Sequence, residues 1–361
     1  MQKQAYLVLE NGAVFKGKSF GYAEEVMGEV VFTTSMSGYL ETLTDPSYYG
    51  QIVVQTFPLI GNYGIIPDDF ESKKPYMKAY IVRQWCQHPS NFRSEGTLDT
   101  FLKENKIVGL YGIDTRRLTK MVRESGVMNG KILYEEQIDD KLLDELKQFH
   151  IEDAVGHVTC DQEEITKAED ERFRVVLWDF GTKENIRREL LRRGCSVIRV
   201  PSYTSAERVK QLKPDGIMLS NGPGDPAQNM EVVQQLKIIS EEKIPTFGIC
   251  LGHQLLALSQ GAHSEKLKYG HRGENQPAVD TATGRVYITC QNHGYALVGD
   301  SLPDTAYVSY KNANDGTCEG VGYKNMPAFT VQFHPEAAAG PLDTGFLFDR
   351  FIDMMKEGGK R

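Results

Sequence analysis

The sequence predicts an α/β protein with an open, mostly parallel C-terminal sheet and a β-rich α+β N-terminal domain. From residue 173 onward, apolar strand-like runs alternate with helix-like segments, which is typical of a parallel sheet. In residues 247–254 a cysteine stands between two glycines where a predicted strand meets a predicted helix. Before residue 155, short apolar runs are broken by glycine, proline and tyrosine, as in β-rich units.

The composition is that of a globular chain and excludes several classes of partner. The chain has 361 residues, 40% of them hydrophobic and 25% charged, with a formal net charge of −8. This length suits two domains. The negative charge disfavours nucleic acid and anionic membranes, because both require a basic face. Six scattered cysteines, no secretory signal pattern and no membrane-spanning apolar run predict a reduced, cytoplasmic protein.

The N-terminal domain is predicted to cover residues 1–155. Ala5 to Phe15 indicates two strands joined by the turn Asn11-Gly12. The further predicted elements of this domain are strands at 28–34 and 51–56 and helices at 97–105 and 115–124. Residues 156–172 are polar and acidic without an apolar period, which predicts an interdomain linker, although a solvated helix fits the same composition.

The C-terminal domain is predicted to cover residues 173–361. Its first part reads as strand–helix alternation, with strands at 174–179, 196–200, 216–220 and 245–249 and helices at 183–192, 206–212, 231–242 and 251–259. After Gly261 the pattern predicts short strands at 286–289, 307–310, 320–323 and 328–333, and a last helix at 344–355.

Cys250 is the predicted nucleophile. A sharp turn between strand and helix leaves no room for Cβ atoms on either side, so Gly248 and Gly252 suit it. The positive end of the helix dipole should lower the pKa of the thiol from its usual value of about 8.5. We expect such a turn to expose the sulfur. The competing interpretation is an inert cysteine buried after a core strand.

A cysteine nucleophile requires a base and a group that orients the base. His334 and Glu336 follow the apolar strand ending at Phe333, and ligands bind at such strand ends in open α/β sheets. His334 would take the thiol proton, and Glu336 would hold the imidazole ring. A turn fixed by Pro335, with both side chains solvated, is the alternative.

Other residues suit supporting or rival roles. The amide of Leu251 is placed to stabilise an oxyanion, and Gly222 and Gly224 would let the backbone approach a ligand. His253 and His293 rank below His334 as bases. Two Cys-x-x-His pairs could suggest a zinc site, but closing it would bury the nucleophile; these residues are Cys250, His253, Cys290 and His293.

Two nucleotide-binding patterns are missing from the sequence. It contains no phosphate-binding Gly-x-x-x-x-Gly-Lys-Ser/Thr loop, and no Gly-x-Gly-x-x-Gly follows the strand at 174–179. The chain therefore shows no obvious way to use ATP or carry a dinucleotide. An enzyme with a cysteine nucleophile of this kind performs acyl transfer, most simply hydrolysis of an amide or ester.

The motifs carry a family resemblance. Residues 247–254, 220–226 and 334–336, in this arrangement, resemble the three signature blocks of class I, triad-type glutamine amidotransferases. Segments of the first half resemble the amino-terminal domain of carbamoyl-phosphate synthase small subunits: residues 35–39, 43–48, 61–64 and 114–119. The resemblance therefore spans nearly the whole chain.

The resemblance implies a reaction and a set of site residues. Cys250 would attack the side-chain amide of L-glutamine, ammonia would leave, and water would release glutamate from the thioester. His334 would shuttle the proton and Glu336 would orient it. By similarity, the glutamine-binding residues are Ser47, Gly222, Gly224, Leu251, Gln254, Asn292, Gly294 and Tyr295.

The resemblance also implies a partner. The chain would need no cofactor or metal of its own. A large synthetase subunit would use ATP with magnesium, bicarbonate and the ammonia delivered through a tunnel to make carbamoyl phosphate for arginine and pyrimidine synthesis. Two other hypotheses remain: a glutaminase subunit for a different synthetase, such as those making anthranilate or guanylate, and a non-catalytic scaffold.

Overall fold

The computed structural model describes residues 3–136 and 138–358, and the chain divides into two compact units after Glu152. The predicted boundary at residue 155 therefore lies three residues inside the second unit. Within the described residues, no helix is both long enough and apolar enough to cross a membrane.

The first unit is built around a closed barrel of seven strands. Its strands in chain order, including the short separate pair β5 and β7, are β1 (Gln4–Leu9), β2 (Val14–Gly21), β3 (Val26–Thr33), β4 (Gln51–Gln55), β5 (Leu59–Ile60), β6 (Ala79–Val82), β7 (Gln84–Trp85), β8 (Val108–Tyr111) and β9 (Met128–Leu133). The barrel order is β1-β2-β8-β6-β4-β3-β9. Ala5, Leu7 and Leu9 alternate toward one fully buried cluster, as the two-residue period of a strand requires.

Four α-helices accompany the barrel in the described part of this unit. They are α1 (Tyr39–Thr44), α2 (Leu98–Glu104), α3 (Thr115–Ser125) and α4 (Asp140–Gln148). The last three begin at a side-chain cap that accepts a hydrogen bond from an amide of the first turn: Thr97, Asp114 and Asp139. These caps explain why α2 and α3 begin where the sequence pattern predicted.

The second unit contains a ten-stranded sheet. Its strands are β10 (Glu164–Thr166), β11 (Phe173–Asp179), β12 (Cys195–Pro201), β13 (Gly216–Leu219), β14 (Thr246–Ile249), β15 (Ser264–Asp280), β16 (Val286–Leu297), β17 (Ala306–Asn312), β18 (Cys318–Tyr323) and β19 (Ala328–Val331). The order is β10-β12-β11-β13-β14-β19-β18-β16-β15-β17.

This sheet is mixed and not mostly parallel as predicted. Its central strands β12, β11, β13, β14 and β19 pair in parallel, because helices connect most of them. The strands β18, β16, β15 and β17 continue the sheet in antiparallel pairing. Short turns connect these later strands, so the chain reverses direction instead of crossing over.

Helices cover both faces of the sheet. The helices of this unit are α5 (Glu184–Arg192), α6 (Ala206–Gln211), α7 (Met230–Ser240), α8 (Leu251–Ser259) and α9 (Phe346–Gly358). Residues of α6, α7 and α8 pack in one core, and residues of α5 and α9 pack in the other. In the second core the rings of Phe247 and Phe329 stack at 4.4 Å, with Phe348 edge-on at 5.6 Å.

Three predictions differ from the structure in this unit. The predicted linker, 156–172, contributes β10, which pairs with β12, so this segment is not a separate linker. Its Ile165 is 66% exposed, so this edge strand had no apolar pattern to detect. The long β15 was missed because Gly270, Gly273 and Pro277 interrupt it. The predicted strand 286–289 is the start of the much longer β16.

Candidate active site

Cys250 lies at the corner between β14 and α8. Its φ of 52° and ψ of −105° are strained for a residue with a Cβ atom, at a cost of about 1–3 kcal/mol. The corner is held by the Cys250 amide, which donates to Val331 O at 2.9 Å, and by the Gly252 amide, which donates to Ser220 O at 3.0 Å. A Cβ at Gly252 would lie 2.5 Å from Leu219 O, so the flanking glycine is a packing requirement.

The sulfur of Cys250 is enclosed. The residue is 2% exposed, so the prediction that the turn exposes the sulfur is wrong. The physical reason is that β16 passes beside the corner and places Asn292 O 3.8 Å from Sγ. Burial alone does not make this cysteine inert, because Cys250 is close enough to His334 to raise the pKa of the imidazole.

His334 and Glu336 form a buried pair at the end of β19, the strand next to β14. The His334 Nδ1 and Glu336 Oε1 atoms are 2.6 Å apart, and the His334 amide donates to Cys290 O at 2.9 Å. Burial and Lys183 lower the pKa of His334, but Glu336 and Cys250 outweigh them and raise it to about 9. At neutral pH the imidazole ring of His334 therefore carries a positive charge next to Cys250.

Lys183, which sequence reasoning missed, is the third charged group of the site. Its Nζ lies 3.7 Å from Glu336 Oε1, and its side chain is 10% exposed. Burial raises the pKa of Glu336, but His334 and then Lys183 bring it below its usual value. Asn185 donates its side-chain amide to the backbone oxygen of Glu336. Lys183, which precedes α5, and Asn185, which lies in it, thus orient Glu336.

The loop after β13 approaches the same corner. A Cβ at Gly222 would lie 2.2 Å from Phe180 O, so only glycine fits there. Gly224 has a φ of 88°, which also favours glycine. Leu251 is the first residue of α8, where backbone amides have no acceptor within the helix. The Leu251 amide is therefore placed to donate to a negatively charged oxygen.

Three of the predicted glutamine ligands, Asn292, Gly294 and Tyr295, lie within β16. Gln254, on α8, donates its amide to Tyr295 O at 2.7 Å and to Gln332 Oε1 at 2.8 Å. Gln254 thus ties α8 to this part of β16, which carries Asn292, Gly294 and Tyr295. The eighth predicted glutamine ligand, Ser47, lies in the first unit, buried in a short 3-10 turn where its amide donates to Asp45 Oδ1. The role of these residues in binding glutamine stays a prediction.

Comparison with known families assigns the chain. Residues 7–132 match the model of the carbamoyl-phosphate synthase small chain, CPSase domain, and residues 176–354 match glutamine amidotransferase class-I. Three curated proteins are similar over nearly their whole length. The chain belongs to the carbamoyl phosphate synthase small chain family.

The relatives are bacterial. The carbamoyl phosphate synthase small chain of Clostridium perfringens is 50% identical over 349 residues, covering 97% of this chain and 99% of that protein. The pyrimidine-specific small chain of Bacillus subtilis is 51% identical, covering 97% and 95%. The small chain of Fusobacterium nucleatum is 53% identical, covering 96% of each.

In this family member the two rival histidines are engaged elsewhere. His253 Nδ1 lies 2.8 Å from Thr330 Oγ1, and burial lowers the pKa of His253 to about 3. His293 Nδ1 donates to Tyr295 O at 2.8 Å, and burial lowers its pKa well below 6.5. Both rings are therefore neutral and hydrogen-bonded to groups other than the thiol.

A different polar cluster is formed by side chains of β15, β16 and β18. Among the described residues, the one group with metal-ligand spacing is His271, His293 and Glu319, and the pairs Cys250-x-x-His253 and Cys290-x-x-His293 do not form one. His271 already contacts carboxylates through both nitrogens, Asp315 at 2.8 Å and Glu319 at 3.3 Å. Burial lowers the pKa of His271, but Glu319 and Asp315 outweigh it and raise that pKa above its usual value.

Proposed function

We propose that this chain is the glutaminase subunit of carbamoyl-phosphate synthase and that Cys250, His334 and Glu336 hydrolyse L-glutamine. The observation that carries the proposal is the strained corner at Cys250 beside the buried His334–Glu336 pair, on two adjacent parallel strands. The corner corresponds to a nucleophile elbow. The family assignment supports glutamine as the amide substrate.

The reaction has two steps. The Cys250 sulfur, having given its proton to His334, attacks the side-chain carbonyl carbon of glutamine. His334 then donates this proton to the amide nitrogen, the carbon–nitrogen bond breaks, and ammonia departs. The product is a thioester between Cys250 and the former amide carbon. His334 next takes a proton from water, whose oxygen attacks the thioester carbon. The carbon–sulfur bond breaks, the sulfur takes the proton back, and glutamate is released.

Each supporting group has a defined task. The oxyanion of each tetrahedral intermediate would accept hydrogen bonds from the Leu251 amide and from the glycine loop, chiefly at Gly222. Glu336 would keep the ring oriented through its contact with Nδ1, which leaves Nε2 to exchange the proton with Cys250. Gly224, Gln254 and the β16 residues would enclose the glutamine.

We place the chemistry that consumes ammonia on a partner chain. The large synthetase subunit would use ATP and magnesium, and this chain would need neither. A tunnel between the subunits would keep ammonia from being protonated in water. The six cysteines are all free thiols, which supports a reducing, cytoplasmic location.

The test is Cys250→Ser in the reconstituted two-subunit complex. Glutamine-dependent synthesis of carbamoyl phosphate should be lost while ammonia-dependent synthesis is retained. Cys195→Ser is the matched control, because Cys195 is equally buried but opens β12 at the opposite end of the parallel strands. It should keep both activities.

Two outcomes would contradict the proposal. If Cys250→Ser keeps both activities, the chain acts as a scaffold. If the chain hydrolyses glutamine only with the synthetase of a different pathway, its partner is not the large subunit of carbamoyl-phosphate synthase. A glutamine-analogue electrophile should also label Cys250 and none of the other five cysteines.

A further inference from the structure

The segment 291–293 of β16 is weakly held by its own sheet. It pairs with residues 271–273 of β15, but the register of that ladder shifts on both sides, between Lys266 and His271 and between Gly273 and Gln276. Three paired residues between two irregularities form a short ladder that can bend. Contacts outside this short ladder therefore help to fix the part of β16 beside Cys250.

Buried side-chain contacts supply this support. Gln291 donates its amide to Glu319 Oε2 at 3.0 Å, and Asn312 donates to Glu319 Oε1 at 3.3 Å. His271 Nδ1 lies 3.3 Å from the same Oε1 atom. The Glu319 carboxylate, whose side chain is fully buried, thus joins β15, β16 and β17 to its own strand β18.

These side-chain contacts lie on one face of β16. Successive side chains of a strand point to opposite faces, so Gln291 and His293 share a face and Asn292 faces the other way. The His271 and His293 rings meet edge-on at 4.9 Å on that shared face. The network therefore holds the two residues that flank Asn292, the residue whose carbonyl oxygen lies beside the Cys250 sulfur.

We propose that Glu319 is a positioning residue for glutamine binding, acting through Gln291 and His271 on the Asn292–Tyr295 segment of β16. This inference rests on the proposed function. Glu319 contacts neither Cys250 nor the His334–Glu336 pair in the described structure. Its loss should therefore weaken the glutamine pocket and leave the nucleophile intact.

The experiment compares Glu319→Ala with wild type in glutamate release by the full chain in its complex with the synthetase subunit. The substitution removes the buried carboxylate that contacts the Gln291 amide and the His271 ring. Leaving a buried donor without its acceptor costs free energy. We expect KM for glutamine to rise about tenfold or more, with kcat changed less than about twofold, because binding of substrate and transition state weakens equally.

Two further variants separate positioning from general damage. Glu319→Gln keeps an oxygen for Gln291 and should restore part of the affinity. Asp315→Asn is the graded control, because Asp315 also contacts His271 but has a half-exposed side chain and no contact with Gln291. It should leave KM within about twofold. Equal melting temperatures with wild type would show that Glu319→Gln is folded.

Alkylation of Cys250 gives a second readout. A chloroketone analogue of glutamine should half-saturate at a concentration about tenfold higher in Glu319→Ala, as KM does. Iodoacetamide, which needs no glutamine pocket, should react at an unchanged rate. If wild type hydrolyses glutamine and Glu319→Ala keeps its KM, or loses kcat alone, the positioning role is overturned. If wild type itself hydrolyses no glutamine, the proposed function fails as well.

Discussion

The parallel and antiparallel halves of the large sheet build the site in different ways. The parallel half contributes Cys250 and His334 from the loops that follow β14 and β19. The antiparallel half contributes Asn292 to Tyr295 from inside a strand. One half thus presents reactive groups at strand ends, and the other presents a backbone edge along the strand.

The two halves are also stabilised differently. Near Cys250, close backbone packing fixes the geometry, as at Gly222 and Gly252, where a Cβ atom would collide with a carbonyl oxygen. Near Asn292, buried polar side chains do so, through Glu319 and its partners. We therefore expect substitutions in the parallel half to affect chemistry and stability, and those in the antiparallel half to affect substrate affinity.

The largest effect is expected for His334→Asn. The variant loses the proton donor and acceptor of the reaction, so kcat for glutamine hydrolysis should fall about 10²–10⁴-fold. Glutamate release measures it, with ammonia-dependent synthesis by the complex as the check that the fold survives. His253→Asn is the matched control, because His253 is buried and belongs to the same half but contacts Thr330. An equal loss of kcat in both variants would remove the distinction between base and core histidine.

A pair of glycine substitutions compares the halves directly. Gly222→Ala places a Cβ 2.2 Å from Phe180 O, whereas Gly294→Ala meets only the Arg272 guanidinium, at 3.2 Å. We expect the first to lower the free energy of unfolding by about 1–3 kcal/mol and the second to change it by less than about 1 kcal/mol. Urea denaturation of both variants measures this. Equal losses would mean that close backbone packing does not distinguish the two halves.

The sequence predicted the parallel half well because its signals are local. The corner at Cys250 is encoded in Gly248 to Gly252, and His334 and Glu336, the proposed base and the residue proposed to orient it, are two residues apart in the chain. The strand–helix alternation before them is periodic. Each of these features can be recognised without knowing which strands are neighbours in the sheet.

The antiparallel half could not be predicted because its signals depend on register. Glu319 and Gln291 are separated by 28 residues and meet only when β15 to β18 are assembled. The register shifts of β15 hide the two-residue period that would have revealed it. Lys183 was missed for a similar reason, since it lies far along the chain from Glu336.

The pH dependence of glutamine hydrolysis tests the charge arrangement of the parallel half. The pKa of His334 is raised to about 9, so the ring is protonated below that pH and neutral above it. In the proposed mechanism the protonated ring donates to the leaving nitrogen, so kcat/KM should fall on the alkaline side, about tenfold per pH unit above about 9. Glutamate release between about pH 6 and about pH 10 measures this dependence of kcat/KM on pH. An alkaline limb near the ordinary histidine value would contradict the raised pKa.

The smallest effect is expected for Lys183→Met, which changes the charge balance without removing a reacting group. The positive charge of Lys183 lowers the pKa of His334, so its loss should move the alkaline limb to higher pH. Lys183→Arg keeps the charge near Glu336 and should leave the limb in place. Comparing the two pH profiles separates charge from packing: if both variants lose rate equally with no shift of the limb, Lys183 acts by filling space. A shift in Lys183→Met alone would show that the parallel half tunes its base electrostatically, in addition to fixing its backbone.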